Sequence, residues 1–193
     1  MPMGYKVRKA TLPLLPKGAK PITVLHFSDL HLTPNKKREI KQIKSFINLA
    51  PDLVISTGDF LAHPDAVGPV LNALDDLLDL PGLFVFGSND YYAPKFKNPF
   101  SYLRKDHGNI KLGKKLPTTK LRNGLTKRGW LDLNHNKVKI KVNGNVIEAR
   151  GTDDAHLELD NYPLVAGRVS AKCDLSIGVT HAPYERVLAA MAQ

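Results

Sequence analysis

The stretch Ile22-Thr23-Val24-Leu25-His26-Phe27-Ser28-Asp29-Leu30-His31 carries an apolar β-type run straight into an aspartate and a histidine. The pattern returns three times. Leu53 to Ile55 is followed by Gly58-Asp59, Leu83 to Phe86 by Gly87-Ser88-Asn89-Asp90, and Leu175 to Val179 by Thr180-His181. After the first run, Ile40, Ile43 and Ile47 stand at helical spacing, and Pro51 cannot continue that helix. From Pro69, the positions Val70, Leu74, Leu77 and Leu78 predict a second helix closed by Pro81-Gly82. Strand, helix, strand, helix, strand at this spacing predicts an α/β fold with a largely parallel sheet covered by helices.

The second half reads differently. Val138, Ile140 and Val142 alternate with lysines, Asn143-Gly144 supplies the residues of a tight hairpin turn, and Val146 starts the return strand, so an antiparallel unit is expected. Trp130, Leu131 and Leu133 mark buried structure, and a last helix starts near Pro183. Residues 1–193 read as one domain. Within it, 1–20 is a Lys- and Pro-rich N-terminal extension and 91–120 a long basic loop region. No stretch has the length of a signal peptide or of a membrane-spanning helix, and the cytoplasm is the expected location. One cysteine, Cys173, excludes an internal disulfide, and its apolar neighbours predict a buried structural thiol. The formal charge of +10 suits anionic partners: nucleic acid, phosphorylated metabolites or acidic lipid heads. Solubility alone explains it equally well.

In a parallel sheet the four strand ends share one edge, where open α/β folds place their ligands. They would deliver Asp29, His31, Asp59, Asn89 and His181 to one crevice, a donor set that suits divalent Mn, Fe or Zn. Taken singly, Asp29, Asp59 and Asn89 are ordinary turn or helix-cap residues, His31 a surface histidine and His181 a partly buried one. Four ligand-type strand ends in one chain are hard to reach by capping alone. A Gly-rich phosphate loop ending in Gly-Lys-Ser/Thr is absent, as is a dinucleotide-binding fingerprint.

In order and spacing, Asp29-Leu30-His31, Gly58-Asp59, Gly87-Ser88-Asn89-Asp90 and Thr180-His181-Ala182-Pro183 resemble the calcineurin-like metallophosphoesterases, from about Pro21 onward. The resemblance implies a two-sheet αββα sandwich and a centre of two divalent metal ions. Asp29 and His31 would bind the first, Asp59 would bridge, and Asn89 and His181 would bind the second. It implies hydrolysis of a phosphate mono- or diester by metal-activated water. The family usually has Gly-Asn-His, whose histidine serves the substrate; here Asp90 is expected in that place, beside the substrate. Tyr91 and His156 are expected at the cleft, while Asp153 and Asp154 read as a polar loop. Lys95, Lys97, Arg104 and Lys105 read as a solvated basic loop. The family's closing Gly-His-x-His motif does not occur. The chain therefore reads as incomplete at its C-terminus, with reduced metal occupancy, weakened activity and an uncovered sheet edge prone to homo-oligomer formation. The competing expectation is a degenerate, non-catalytic module that binds nucleic acid or a protein.

Overall fold

The computed structural model describes residues 4–94 and 112–192. The first apolar run becomes strand β1 (Val24–Phe27), followed by β2 (Leu53–Ser56), β3 (Gly82–Phe84) and a two-residue β4 (Leu131–Asp132). They form one sheet in the order β1-β2-β3-β4, parallel throughout. Helices α1 (Lys37–Lys44), α2 (Val67–Leu74) and α4 (Thr118–Lys127) pack on one face; the one-turn α3 (Ser88–Tyr91) follows β3. Alternation along the strands divides the apolar residues between two cores. Phe27, Val54 and Phe84 meet the helices through Ile43, Val70, Leu74 and Leu121, while Leu53, Ile55 and Leu83 face the other way. Covered on both sides, β2 is buried at every position, as a central parallel strand must be.

A second sheet closes the other side. The expected hairpin is present as β5 (Asn136–Val142) and β6 (Asn145–Gly151), paired antiparallel with Val142 opposite Asn145. Asn143 and Gly144 both have positive φ, 50° and 89°, the backbone of a two-residue turn that matches strand twist. Val142, Ile147 and Ala149 bury against Leu53, Ile55, Leu83 and Val85 of the first sheet. The fold is thus mixed α/β, a parallel sheet packed on a second sheet.

Strand β7 (Leu175–Val179) departs from the expectation of one parallel sheet carrying all four site-bearing ends. It pairs with β6, in parallel, in the second sheet. Asp174 pins its start: its N–H donates to the Val146 carbonyl at 2.8 Å and its carboxylate accepts from the Val146 N–H at 2.7 Å. Helix α5 (Glu185–Met191) then lies over β7, with Met191 against Gly178.

Other differences are local. Helix α2 starts at Val67 rather than Pro69, after a 3₁₀ turn at Pro64–Ala66. Helix α4 occupies part of the stretch read as loop, because Leu121 and Leu125 fill the core beside Trp130. The N-terminal extension is tied down at Tyr5, whose ring meets Phe46 edge-on and whose hydroxyl donates to the Leu30 carbonyl at 3.0 Å. Cys173 is half-buried rather than buried. Lys95, Lys97, Arg104 and Lys105 lie outside the described residues. Among those residues no helix is long and apolar enough to cross a membrane.

Candidate metal centre

Three of the expected donors sit on backbone that L-residues rarely adopt. Asp29, His31 and Asp59 have φ of 58°, 42° and 57°. Left-handed backbone costs roughly 1–2 kcal/mol per non-glycine residue, and it persists only where the surroundings enforce it. Here the β1–β2 pairing continues into the two loops. The N–H groups of Asp29, His31 and Leu32 donate to the carbonyls of Gly58, Asp59 and Phe60 at 3.0, 2.9 and 2.8 Å. The loops therefore hold each other, and their three side chains converge.

Asp59 Oδ2 is the hub. His31 Nε2 lies 3.5 Å from it and also 3.5 Å from Asp29 Oδ1. One donor atom from each of Asp29, His31 and Asp59 falls within 4.8 Å of the others. From the second sheet, His181 Nε2 lies 3.6 Å from the same oxygen. Its Nδ1 is 2.7 Å from the Thr57 carbonyl, which only accepts, so Nδ1 carries a proton and Nε2 is the ring nitrogen turned to Asp59. Asn89 donates to Asp59 twice, from its N–H to Oδ1 at 2.8 Å and from its amide nitrogen to Oδ2 at 2.7 Å. Its amide oxygen makes no hydrogen bond among the described residues. Gly87 completes the cradle, since a Cβ there would lie 2.3 Å from Asp59 Oδ1 and 2.7 Å from the His181 ring.

These donors fit divalent ions. Histidine nitrogen and carboxylate oxygen bind zinc at about 2.0–2.2 Å, so two donors on one ion stand about 3–3.5 Å apart. The His31–Asp59 and His181–Asp59 separations are close to that and too long for good hydrogen bonds. The Asp59 side chain is 4% exposed and the Asp29 side chain 57%, so the centre is rooted in the core and opens to solvent on the Asp29 side.

Asp90 is not where the sequence placed it. It is fully buried, and both carboxylate oxygens are spent on backbone. Oδ1 accepts from the N–H groups of Phe60 at 2.8 Å and Leu61 at 3.2 Å; Oδ2 accepts from Asp59 at 2.8 Å and Gly87 at 3.0 Å. Burial pushes its carboxyl up to about 7, against the pull of the Gly87 N–H and with help from the Asp59 charge. Four donors on two oxygens leave no acceptor for a carboxyl proton, so the ionised form matches the contacts. The physical reason for the correction is direction: as the third residue of α3, Asp90 points inward beneath the Asp59 loop.

The two cleft expectations also resolve. The Tyr91 hydroxyl donates to Asp153, 2.8 Å from both carboxylate oxygens, and burial together with that charge pushes the phenol up. Tyr91 thereby links α3 to the loop after β6. His156 turns to the Tyr184 hydroxyl at 3.1 Å, outside the Asp29–His31–Asp59 cluster. Asp154 is buried; Oδ2 accepts from the Leu157 N–H at 3.0 Å, and Oδ1 has no partner among the described residues. Sequence reasoning missed the Asp90 clamp, the Thr57 carbonyl that orients His181, and the space left by Gly87. Only Gly87, two residues before Asn89, gave any local sign.

Residues 22–189 match the calcineurin-like phosphoesterase family. The chain is also 28% identical over 185 residues to the uncharacterized protein YpbG of Bacillus subtilis (strain 168), across 93% of this chain and 60% of that protein. It thus spans about 60% of the length of this relative. The family match starts at the head of β1 and takes in every residue of the donor cluster, and the chain belongs to the calcineurin-like phosphoesterase family.

Proposed function

We propose that this domain hydrolyses a phosphate mono- or diester at a centre of two divalent ions, with Mn, Fe or Zn as the candidates. The observation that carries the reading is the position of Asp59 Oδ2, flanked by His31 Nε2 at 3.5 Å and His181 Nε2 at 3.6 Å. Asp29, His31 and Asp59 would hold one ion, and Asp59, Asn89 and His181 the other. Such a pair supplies a bound water of lowered pKa and a clamp on the ester oxygens.

The chain's own residues do the rest. Asp90 fixes the backbone of residues 59–61, and so the aim of the Asp59 carboxylate. The Thr57 carbonyl, facing His181 Nδ1, keeps the ring turned so that Nε2 faces Asp59. The exposure of Asp29 leaves a path for water and for an ester. Asp90 makes no contact through which it could protonate a leaving group, so esters with good leaving groups are the preferred substrates. The test measures bound metal, and Mn²⁺-dependent hydrolysis of a bis-aryl phosphodiester, in the wild type and in Asp59→Asn. Two metals per chain and a rate abolished by Asp59→Asn support the reading. An apo protein whose residual rate ignores Asp59 refutes it.

A further inference from the structure

The N-terminal strap is held at both ends and bare in the middle. At one end the Tyr5 N–H donates to Gln42 of α1 at 2.8 Å and the Tyr5 hydroxyl to Leu30, in the loop that carries Asp29 and His31. At the other, the carbonyls of Lys20 and Pro21 accept from the side-chain amides of Asn145 and Asn143 at 2.9 and 3.1 Å. Between these anchors Leu12 is 68% exposed, Leu14 60% and Val7 48%. Lys6, Arg8, Lys9, Lys17 and Lys20 are exposed beside them, and no acidic residue occurs before Asp29. Five of the chain's ten excess positive charges thus sit on this strap. Helix α1, to which Tyr5 is tied, adds exposed Lys37, Arg38 and Lys41. Among the described residues none of these cations is in an ion pair.

We propose that the strap and the outer side of α1 form a docking surface for an anionic lipid bilayer. Phosphate groups of the lipid meet the lysines and arginines, and Leu12 and Leu14 enter the boundary between headgroups and acyl chains. The leucines decide between partners. A nucleic-acid backbone needs only the cations and would leave both leucines in water; a bilayer uses both kinds of side chain at once. Because Tyr5 joins the strap to the Asp29–His31 loop, a docked chain would hold its metal centre near the membrane surface, which suits an ester displayed there. That last consequence rests on the proposed hydrolase; the docking does not.

The experiment is co-sedimentation of the full chain with vesicles of neutral phosphatidylcholine, and with vesicles about one-third phosphatidylglycerol, at about 0.15 M salt. Wild type is expected to bind the anionic vesicles and not the neutral ones. Leu12→Asn/Leu14→Asn and Lys6→Gln/Arg8→Gln/Lys9→Gln should each weaken binding by about tenfold or more. All five positions are exposed, so the thermal midpoint should not move. Asp59→Asn should bind as wild type, which separates this test from any failure of the hydrolase reading. Wild type remaining in the supernatant overturns the proposal. So does a leucine variant that binds unchanged, or tight salt-dependent binding to duplex DNA that outcompetes the vesicles.

Discussion

Replacing Asp90 with asparagine removes one charge and one acceptor from the most enclosed part of the site. Each carboxylate oxygen accepts from two backbone N–H groups: Phe60 and Leu61 on one side, Asp59 and Gly87 on the other. Asparagine offers a single oxygen, so whichever way the amide turns, its NH₂ faces two N–H donors. Each buried donor left unsatisfied costs about 1–3 kcal/mol, giving about 2–6 kcal/mol of lost stability. Trp130, the only tryptophan and 1% exposed, reports unfolding in urea through its fluorescence. Metal affinity should fall with stability, because the same donors set the backbone that aims Asp59. A group acting on substrate would behave otherwise. Stability within about 0.5 kcal/mol of wild type, combined with lost hydrolysis, would refute the clamp and restore Asp90 to the substrate.

Three further outcomes follow from single contacts. Gly87 has φ near −113°, which alanine adopts freely, so Gly87→Ala acts only through its Cβ against Asp59 and His181; metal affinity measured by titration should drop about 10–100-fold, and unchanged affinity would argue against the cradle. At Gly82 a Cβ would lie 2.2 Å from the Trp130 indole nitrogen, and Gly82→Ala should cost about 1–3 kcal/mol and shift the tryptophan emission. The Arg186 hydrogen bond holds the Asp160 carboxyl below its usual range, so the pair stabilises the fold fully above about pH 4 and loses that effect as pH falls through the lowered value. Arg186→Met should therefore lower the urea midpoint at pH 6, with the gap to wild type narrowing as the pH is taken below about 4; a gap of constant size would mean that the pair contributes nothing.

Much of the fold was legible because it is written locally. Alternating apolar residues and the Asn143-Gly144 turn made the β5–β6 hairpin readable, since both depend on neighbours two residues away. Apolar runs ending in Asp, His or Asn marked the first three strand ends for the same reason. Helix α4 was not legible, because Leu121 and Leu125 alone make a weak periodic signal and only the waiting core beside Trp130 gives them a face. Tyr5 looked like part of a polar extension until Gln42, Phe46 and Leu30 supplied its partners.

The donor set followed the same division. That Asp29, His31, Asp59, Asn89 and His181 each follow an apolar run is readable from residue type and order, which are local facts. Long-range packing alone puts β7 in the second sheet and still delivers His181 to Asp59, 3.6 Å away. It also turns Asp90 to the Asp59 loop rather than to the opening. Both outcomes depend on which backbone N–H and carbonyl groups lie within hydrogen-bonding distance across 30 to 124 residues of chain. A strand carries the same pleat and pattern in either sheet, and an aspartate the same charge at a surface or beneath a loop; only the packed partners distinguish them.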